Sequence, residues 1–364
     1  MEKETYQQVK EAAHKLVPVS ETAITAFEQS FPKIVALVNE KFALEIKYVA
    51  TGSSCGPLCV VKDTHKQFGE LLLAVYEFHL YEHLLDEFSW YVSTLSNRGF
   101  ERDFFTTMIK TWHIAIHSVI KPPESHELAR PLHYLQENLP LIYKHAHPVD
   151  VPLAPELRPF VDFLVAKKRK DAADYMLSLL KQGSSIEHLY ADLITNALQE
   201  IGRRWQKNEM SVVDVHVATD ICRYIIMRLV DSMTPGKRVD YRALVTCVPG
   251  EEHEMGAELI ENYLEMQGWD VCSMGHIAPE ADIIQEITTY TPDVVFLSVT
   301  LVANLPAAKA LAMKIREQVP QAKIVMGGYG AVLAAGTLRR FSDVVVHTLE
   351  EAHTRSLQLV DAHA

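Results

Sequence analysis

The sequence predicts an α + α/β protein with a helical bundle first, a second group of helices next, and a doubly wound parallel sheet last. Two observations support that prediction. Helical periodicity dominates up to about residue 233, whereas from Tyr241 onward short β-branched runs alternate with helical patterns. Such alternation is typical of parallel strands joined by crossover helices. The 364 residues are 48% hydrophobic, which suffices for two or three domains with their own cores.

Three domains are predicted from changes in texture along the chain. Residues 1–147 are expected to form a helical bundle rich in aromatic residues and histidine. Four prolines then crowd the segment AHPVDVPLAPELRP, which cannot continue a helix and predicts an extended linker. Residues 160–233 are predicted to form about four helices, broken at Gln182–Ser184 and at Lys207–Asn208. Residues 241–364 form the predicted sheet domain.

The charge balance limits the partners that the chain can have. Lys and Arg total 35 against 47 Asp and Glu, a formal net charge of -12, and nucleic acid repels an acidic chain. We therefore expect no DNA-binding domain at the N-terminus, where a helix–turn–helix pattern is also missing. No uncharged apolar run reaches about 18 residues, so no membrane span is expected. The charged N-terminus and the five scattered cysteines predict a reducing, cytoplasmic location.

Two of the cysteines lie close together in a turn-like segment. Cys55 and Cys59 occur in TGSSCGPLC, which is rich in glycine, proline and serine. The pair could be a redox couple or half of a metal site. Two free thiols in a loop is the favoured interpretation, because no second cysteine pair completes a zinc set.

Five strands are predicted in the C-terminal domain. The runs VVFLSV and KIVMGG are too continuously apolar for a strand with one face in water, so they fit a sheet that helices cover on both sides. The first crossover helix is expected over Gly256–Gln267, with Gly268 closing it as the C′ residue. Such a flavodoxin-like (Rossmann-like) fold binds ligands beyond the carboxyl ends of its strands. The predicted strands are Ala243–Val248, Asp270–Met274, Val294–Val299, Lys323–Met326 and Val344–His347.

The loop after the first strand contains the motif on which the functional prediction depends. In VPGEEHEMG, the residues Glu251, His253 and Gly256 form Glu-x-His-x-x-Gly. A histidine there can present a ring nitrogen to a metal at the edge of the sheet. A carboxylate two residues earlier can accept the other ring N–H and fix the tautomer. A glycine lets a bulky cofactor tail pass close to the backbone. The alternative is an ordinary exposed histidine at a helix start.

More candidates lie at the ends of neighbouring strands. Ser298-Val299-Thr300 closes the third strand, and Gly327-Gly328 closes the fourth. A hydroxyl group and two bare backbone positions suit a deep slot for a flat heterocycle. His276 and His347 also follow strands but match no motif, so we expect them at the rim or on the surface.

Taken together, the three motifs resemble the signature of the cobalamin-binding domain family, which is Asp/Glu-x-His-x-x-Gly, then Ser-x-Leu or Ser-x-Thr, then Gly-Gly. The resemblance covers residues 241–360. It implies that His253 replaces the cofactor's own base as lower ligand of cobalt (base-off, His-on) and that Glu251 is the partner of this histidine. Ser298 and the two glycines would line the slot for the displaced nucleotide tail. The cofactor-binding residues implied are Glu251, His253, Gly256, Ser298, Thr300, Gly327 and Gly328.

The helices of residues 160–233 correspond to the four-helix cap that covers the upper face of the corrin in this family. Trp205 and His216 resemble the Trp-x9-Glu-His pattern in the cap of light-sensing, adenosylcobalamin-dependent regulators. Val215 stands where the Glu is expected, which removes a polar contact. Gln206 stands where those regulators carry a histidine able to take the upper cobalt site, so capture from that position cannot occur. The structural alternatives are a core aromatic and a capping or core histidine.

Histidines at helical spacing also occur on two predicted N-terminal helices, Gln67–Leu95 and Arg102–Ile120. Such faces could bind a metal or a second tetrapyrrole, since an aromatic-rich bundle can offer an apolar cavity with polar anchors. The Glu-x-x-His spacing of di-iron bundles is missing, which favours a half-buried bundle face or a dimer interface instead. These residues are His79, His83 and Glu87 on the first helix, and His113 and His117 beside Trp112 on the second.

Three functions are compatible with these motifs. The first is a cobalamin-binding sensor or regulator, without catalysis of its own, that responds through a labile cobalt–carbon bond. The second is a corrinoid carrier within a methyltransferase system. The third is an interaction module with an empty, degenerate cobalamin domain, which the intact Glu-x-His-x-x-Gly motif disfavours. The expected cofactor is adenosylcobalamin or methylcobalamin, and the expected partner is a second copy of the chain or another protein.

Overall fold

A computed structural model of the chain confirms the predicted order of a helical region followed by further helices and a parallel sheet. All of Cys55 and His276, and the side chain of Cys59, lie outside what the structure describes, so their interpretation stays as the sequence leaves it. The described residues are 2–49, 58–146, 152–233, 236–275 and 278–361.

The chain divides into two compact units. The first comprises Met1–Val149 with Gln206–Asn208, and the second comprises Asp150–Trp205 with Glu209–Ala364. Within the described residues, no helix is both long enough and apolar enough to cross a membrane.

The first unit is a bundle of long helices around an aromatic core. Phe27, Phe68 and Trp112 are fully buried in it. Gly69 makes room for the buried Trp112 side chain, because a Cβ at this position would lie 2.4 Å from the Trp112 ring. Its described helices are α1 (Glu2–His14), α2 (Glu21–Val49), α3 (Leu58–Phe78), α4 (Tyr81–Ser96), α5 (Arg102–Val119) and α6 (Glu124–His145).

One predicted helix of this bundle is wrong. The segment Gln67–Leu95 is not continuous, because His79 adopts a left-handed conformation with φ of 57° and separates α3 from α4. The break turns both Phe78 and Tyr81 into the core. His79 is therefore exposed at a helix junction and does not share a helix face with His83. Among the described residues, no group of three His, Cys, Asp or Glu side chains is placed to hold a metal ion.

A buried histidine in α3 makes the stability of the first unit depend on pH. His65 is fully buried, its Nδ1 lies 2.8 Å from Asn39 Oδ1, and burial lowers its pKa from 6.5 to about 4. The unfolded chain takes up the proton near pH 6.5 and the folded chain does not. Stability is thus full above pH 6.5 and is lost as the pH falls towards 4.

We expect this group to remove about 3 kcal/mol of the free energy of unfolding over that interval. Urea unfolding of the first unit at pH 7 and pH 4.5 measures the loss. His65→Gln keeps a donor for Asn39 but does not titrate, so its loss should be smaller. His133→Gln, at an exposed position, should behave as the unchanged protein does. Equal losses in all three proteins would contradict the assignment.

The second unit begins with the helices that the sequence predicts as a cap. The predicted breaks are confirmed, since one helix ends at Lys181 and another at Gln206. Ser211 and Asp214 form a reciprocal capping box at the start of the last cap helix, with Asp214 Oδ2 accepting from the Ser211 amide at 2.8 Å. The elements are α7 (Leu157–Val165), α8 (Arg169–Lys181), a π-helix (His188–Thr195), α9 (Asn196–Gln206) and α10 (Val212–Asp231).

The rest of the second unit is a five-stranded parallel sheet, whose strands are β1 (Arg242–Cys247), β2 (Asp270–Ser273), β3 (Val294–Ser298), β4 (Lys323–Gly327) and β5 (Val344–Val345). The strand order is β2-β1-β3-β4-β5. The strands β3 and β4 are buried along most of their length, as the sequence predicts for a sheet with helices on both faces. The order reverses between β1 and β3, so the loops after these two strands diverge and leave a crevice at the carboxyl edge.

The helices of the sheet domain pack on both faces of the sheet, and the predicted helix after β1 is confirmed, with Gly268 following it at φ of 89°. They are α11 (Met255–Met266), α12 (Glu280–Tyr290), α13 (Leu305–Gln318), α14 (Tyr329–Leu333), α15 (Ala335–Leu338) and α16 (Leu349–Asp361).

Helix α11 belongs to two hydrophobic cores at once. Leu259, Tyr263 and Met266 join the same buried cluster as the cap helices. Ala257 and Leu264 lie in the cluster that covers the sheet. Helix α11 therefore packs against the cap helices on one side and against the sheet on the other.

Candidate functional site

The loop between β1 and α11 is shaped by a tight turn that separates a buried acid from an exposed histidine. Gly250 has a φ of 87°, a conformation that few side chains tolerate. After this turn Glu251 is fully buried, whereas 56% of the His253 side chain is exposed. The loop therefore sends the carboxylate inward and the imidazole outward at the carboxyl edge of the sheet.

Glu251 accepts five hydrogen bonds and joins two strand ends. Its Oε1 accepts from the backbone amide of His253 at 3.0 Å and from the Nδ1 of the same residue at 2.7 Å. Its Oε2 accepts from the amides of Thr300 and Leu301, both at 2.8 Å, and from Asn304 Nδ2 at 3.0 Å. The carboxylate thus ties the loop after β1 to the loop after β3.

These hydrogen bonds decide the charge of the acid. Burial alone would raise the pKa of Glu251, but the hydrogen bonds from His253, Leu301 and Asn304 outweigh it and lower the pKa to about 2. The group is therefore an anion at neutral pH, with both oxygens committed to fixed donors.

The same contact fixes the chemistry of the histidine. The hydrogen bond to Glu251 raises the pKa of His253, and burial opposes that effect. With Nδ1–H donating to the carboxylate, the neutral ring keeps its lone pair on Nε2. Within the described residues Nε2 has no hydrogen-bond partner. This is the tautomer that a metal-ligating imidazole needs.

A cavity of about 390 Å³ lies against the first turns of α11, over the carboxyl ends of β3 and β4, and among the described residues Glu251 and His253 do not line it. Its walls are mostly apolar, for example Phe296 and Leu259, and the cap contributes Ala191 and Thr195 from the π-helix. It brings together five of the residues that the sequence selects for a slot: Gly256, Ser298, Thr300, Gly327 and Gly328. His347 also lines it and is exposed, at the mouth after β5.

The two glycines of the Gly327-Gly328 pair have different structural roles. Gly328 has a φ of 101°, and a Cβ there would lie 2.4 Å from the Val299 carbonyl oxygen, so only glycine fits. At Gly327 a Cβ would make an ordinary 3.5 Å contact with Val346, so glycine there leaves space in the cavity. One glycine shapes the backbone and the other keeps the slot open.

Gly328→Ala should therefore lower the free energy of unfolding by about 2 kcal/mol or more, because the new Cβ meets a backbone oxygen that cannot move alone. Gly327→Ala should change it by no more than about 0.5 kcal/mol. Urea unfolding of both variants measures the difference. Equal stability of the two variants would show that the turn does not require glycine at position 328.

The two cap candidates lie apart from this cavity. Trp205 is half-buried near the end of α9, and His216 is exposed in the second turn of α10. Judged on the described residues, neither side chain lines the cavity. Val215, which replaces the expected Glu, packs against the buried cluster of the cap. The apolar residue therefore serves the cap's own packing.

Sequence reasoning missed Asn304 and the amides of Thr300 and Leu301 as the donors that hold Glu251. Nothing in the motif itself points to them, because backbone donors leave no residue signature. Asn304 could have been suspected as a polar residue just before an apolar helix, six residues beyond Ser298. The π-helix lining was also missed, since a π-helix has no clear sequence pattern.

Two family models, each described as a B12 binding domain, match the chain at residues 241–355 and 157–229. The HTH-type transcriptional repressor CarH of Myxococcus xanthus is 24% identical over 44% of the chain and 52% of its own length. Dimethylamine corrinoid protein 3 of Methanosarcina mazei is 22% identical over 45% of the chain and 99% of its own length. The chain thus spans about half of the repressor.

Among solved structures, the Methanosarcina barkeri monomethylamine corrinoid protein shares the fold, with a TM-score of 0.50 and 13% identity. The match covers 56% of the chain and 98% of that protein. Fold and site together define a cobalamin-binding protein. More closely, the chain belongs to the B12-binding domain family, and its cap resembles that of the photoreceptor regulators.

Proposed function

We propose that the chain is a sensor that holds its corrinoid base-off, with His253 as the lower ligand of cobalt. The observation that carries the proposal is the imidazole whose Nδ1 donates to a buried carboxylate at 2.7 Å while Nε2 faces no partner in the described residues. Glu251 holds that ring in one tautomer and one orientation. The donor chemistry fits a cobalt ion that accepts one nitrogen from the protein.

The cavity would take the displaced nucleotide tail. Its mostly apolar walls suit a flat heterocyclic base, and Ser298 and Thr300 supply hydroxyl groups. On the other side, Trp205 and His216 of the cap would face the upper side of the corrin. Bound adenosylcobalamin or methylcobalamin would supply a weak, light-labile cobalt–carbon bond, and the residues of the cap would respond to its loss.

The two relatives described above support two different functions. The cap pattern of Trp205 and His216 and the similarity to a transcriptional repressor support the sensor. A corrinoid carrier in methyl transfer is the second candidate, because the match covers 99% of a dimethylamine corrinoid protein. If the chain is a sensor, a second copy of the chain or another cytoplasmic protein would respond to the change in the cap. In this proposal the chain itself neither binds DNA nor catalyses a reaction.

One experiment separates the two. The protein is loaded with adenosylcobalamin, methylcobalamin or hydroxocobalamin, and its spectrum and size are recorded in the dark and after illumination. A light-driven change of oligomeric size supports the sensor. Methyl turnover with an added methyltransferase and no change of size supports the carrier. No uptake of any of the three forms would refute both.

The lid role of Trp205 has its own prediction. Trp205→Ala should speed the dissociation of adenosylcobalamin about tenfold, because an aromatic wall over the alkyl group is lost, and leave hydroxocobalamin bound as before. Dissociation rates of the two forms measure the effect. Equal acceleration of both would refute an upper-face role.

The second tetrapyrrole predicted for the first unit stays a proposal. His65 is the described residue that best suits an axial ligand there, because it is fully buried and its Nε2 has no hydrogen-bond partner among the described residues. Expression with haem or a bilin supplied, followed by the absorption spectrum of the full chain, tests it. A visible band that His65→Gln removes would support it, and no band beyond that of cobalamin would refute it.

A further inference from the structure

A group of charged residues joins cap helix α10 to the start of α11, one residue after His253. Arg223 Nε lies 2.6 Å from Glu258 Oε1, and the same guanidinium also pairs with Glu254. A third contact, from Nη1 to Asp220 at 3.1 Å, stays within α10. One arginine of the cap thus pairs with two carboxylates at the start of α11, that of the N-cap residue Glu254 and that of Glu258 in the first turn.

These ion pairs differ from ordinary surface pairs. The side chains of Arg223, Glu254 and Glu258 are 33%, 18% and 24% exposed, so the contacts are partly shielded from water. A planar guanidinium presents its N–H donors in a fixed fork, whereas the ammonium group of a lysine is a compact charge whose donors rotate. The geometry therefore fixes the direction of the first turn of α11 relative to α10.

Sequence spacing places this contact in line with the upper-face candidate. His216, Asp220 and Arg223 are spaced i, i+4 and i+7, so they follow one face of α10. Glu254 is the N-cap residue of α11 and directly follows His253 in the chain. His216 is therefore connected to His253 in three steps. Helix α10 carries both His216 and Arg223, Arg223 pairs with Glu254, and Glu254 is the next residue after His253.

Most of the apolar packing between α11 and the cap lies beyond the ion pairs. Leu259, Tyr263 and Met266 of α11 belong to the cap cluster, and Met255 in the first turn packs against its edge. Removal of the arginine therefore leaves the main contact between α10 and α11 intact. Its effect should be confined to the first turn of α11 and the loop before it.

We propose that Arg223 is a positioning residue that locks the His253 loop to the cap, so that the position of the cap over the upper face of the corrin and cobalt ligation by His253 are coupled. The proposal rests on the proposed function, in which His253 binds cobalt. It assigns Arg223, Glu254 and Glu258 a role that the binding motif does not include.

The first test uses the cofactor-free protein. In Arg223→Met, backbone amides of residues 253–258 should exchange with deuterium about tenfold faster, while amides in the middle of α10 keep their rates. Arg228→Met is the matched control, because Arg228 contacts Tyr224 on its own helix. Unchanged exchange at 253–258, or equal acceleration throughout α10 and α11, would overturn the proposal.

The second test uses the protein with adenosylcobalamin. Trp205→Ala should shift the absorption band that reports His253 ligation when Arg223 is present, and the shift should be lost in the Arg223→Met background. Arg223→Lys, which keeps the charge but loses the fixed fork of donors, should give an intermediate shift. The same shift in all backgrounds would overturn the coupling. If the unchanged protein binds no cobalamin while Arg223→Met still loosens residues 253–258, the proposed function fails and the positioning of the loop stands.

Discussion

His253→Ala should weaken cobalamin binding at least about 100-fold and leave any added cobalamin with its own base coordinated. Loss of a residue that merely supports a metal ligand already costs about 10- to 100-fold in affinity, so loss of the ligand itself should cost more. Equilibrium dialysis gives the affinity, and the absorption spectrum distinguishes coordination by histidine from coordination by the nucleotide base.

The variant should remain folded. The His253 side chain is 56% exposed, and its backbone amide still donates to Glu251 when the ring is gone. Glu252→Gln is the matched control, since Glu252 is an exposed neighbour in the same loop. Added imidazole should restore part of the histidine-ligated spectrum in His253→Ala. Unchanged affinity and an unchanged spectrum in His253→Ala would remove the basis of the proposed function.

The sheet and the cap helices could be predicted because their signals are local. Runs such as VVFLSV identify buried strands by themselves, and the breaks near Gly183 and Asn208 coincide with residues that adopt positive φ. The helix Gln67–Leu95 failed for a physical reason that local pattern cannot supply. His79 takes a strained conformation because Phe78 and Tyr81 both gain burial in the core, a gain that exists only in the assembled bundle.

The site could also be predicted only in part: the motif residues could be found from the sequence, and the groups that hold them in place could not. The Glu-x-His-x-x-Gly motif selects the two residues whose side chains meet, since they lie two positions apart in one loop. What holds Glu251 comes from a loop about 50 residues later, as amides of Thr300 and Leu301 that any residue type would provide. Arg223 was equally invisible, because its partners in α11 are distant in sequence and ordinary in composition.

Glu251→Gln should cause a large loss of stability, because five hydrogen-bond donors surround the Glu251 carboxylate. An amide group has one oxygen, whereas the site presents donors to both positions. Whichever way the glutamine is turned, its NH₂ group faces N–H donors and at least one buried donor loses its acceptor. We expect a loss of about 2–4 kcal/mol in the free energy of unfolding, since each unsatisfied buried group costs about 1–3 kcal/mol.

The same variant should alter pH dependence in a defined direction. The pKa of Glu251 is lowered from 4.5 to about 2 in the folded protein, so its stabilisation is complete above pH 4.5 and is lost as the pH falls towards 2. Glu251→Gln should therefore unfold with a flatter dependence on pH in that interval. Urea unfolding between pH 6 and pH 3 measures both effects, with Glu252→Gln as the control. Equal pH slopes in the two variants would contradict the assignment.

Cobalt ligation should weaken in Glu251→Gln without disappearing. Glutamine can still accept a hydrogen bond from Nδ1 when its oxygen faces His253, so the ring keeps a partner but loses the charge that raises its basicity. That orientation turns the NH₂ group towards the amides of Thr300 and Leu301, which then lose their acceptor. The single amide oxygen can therefore orient His253 or accept from these two amides, but it cannot do both. A carboxylate satisfies both demands at once, and this explains why an acid stands at position 251.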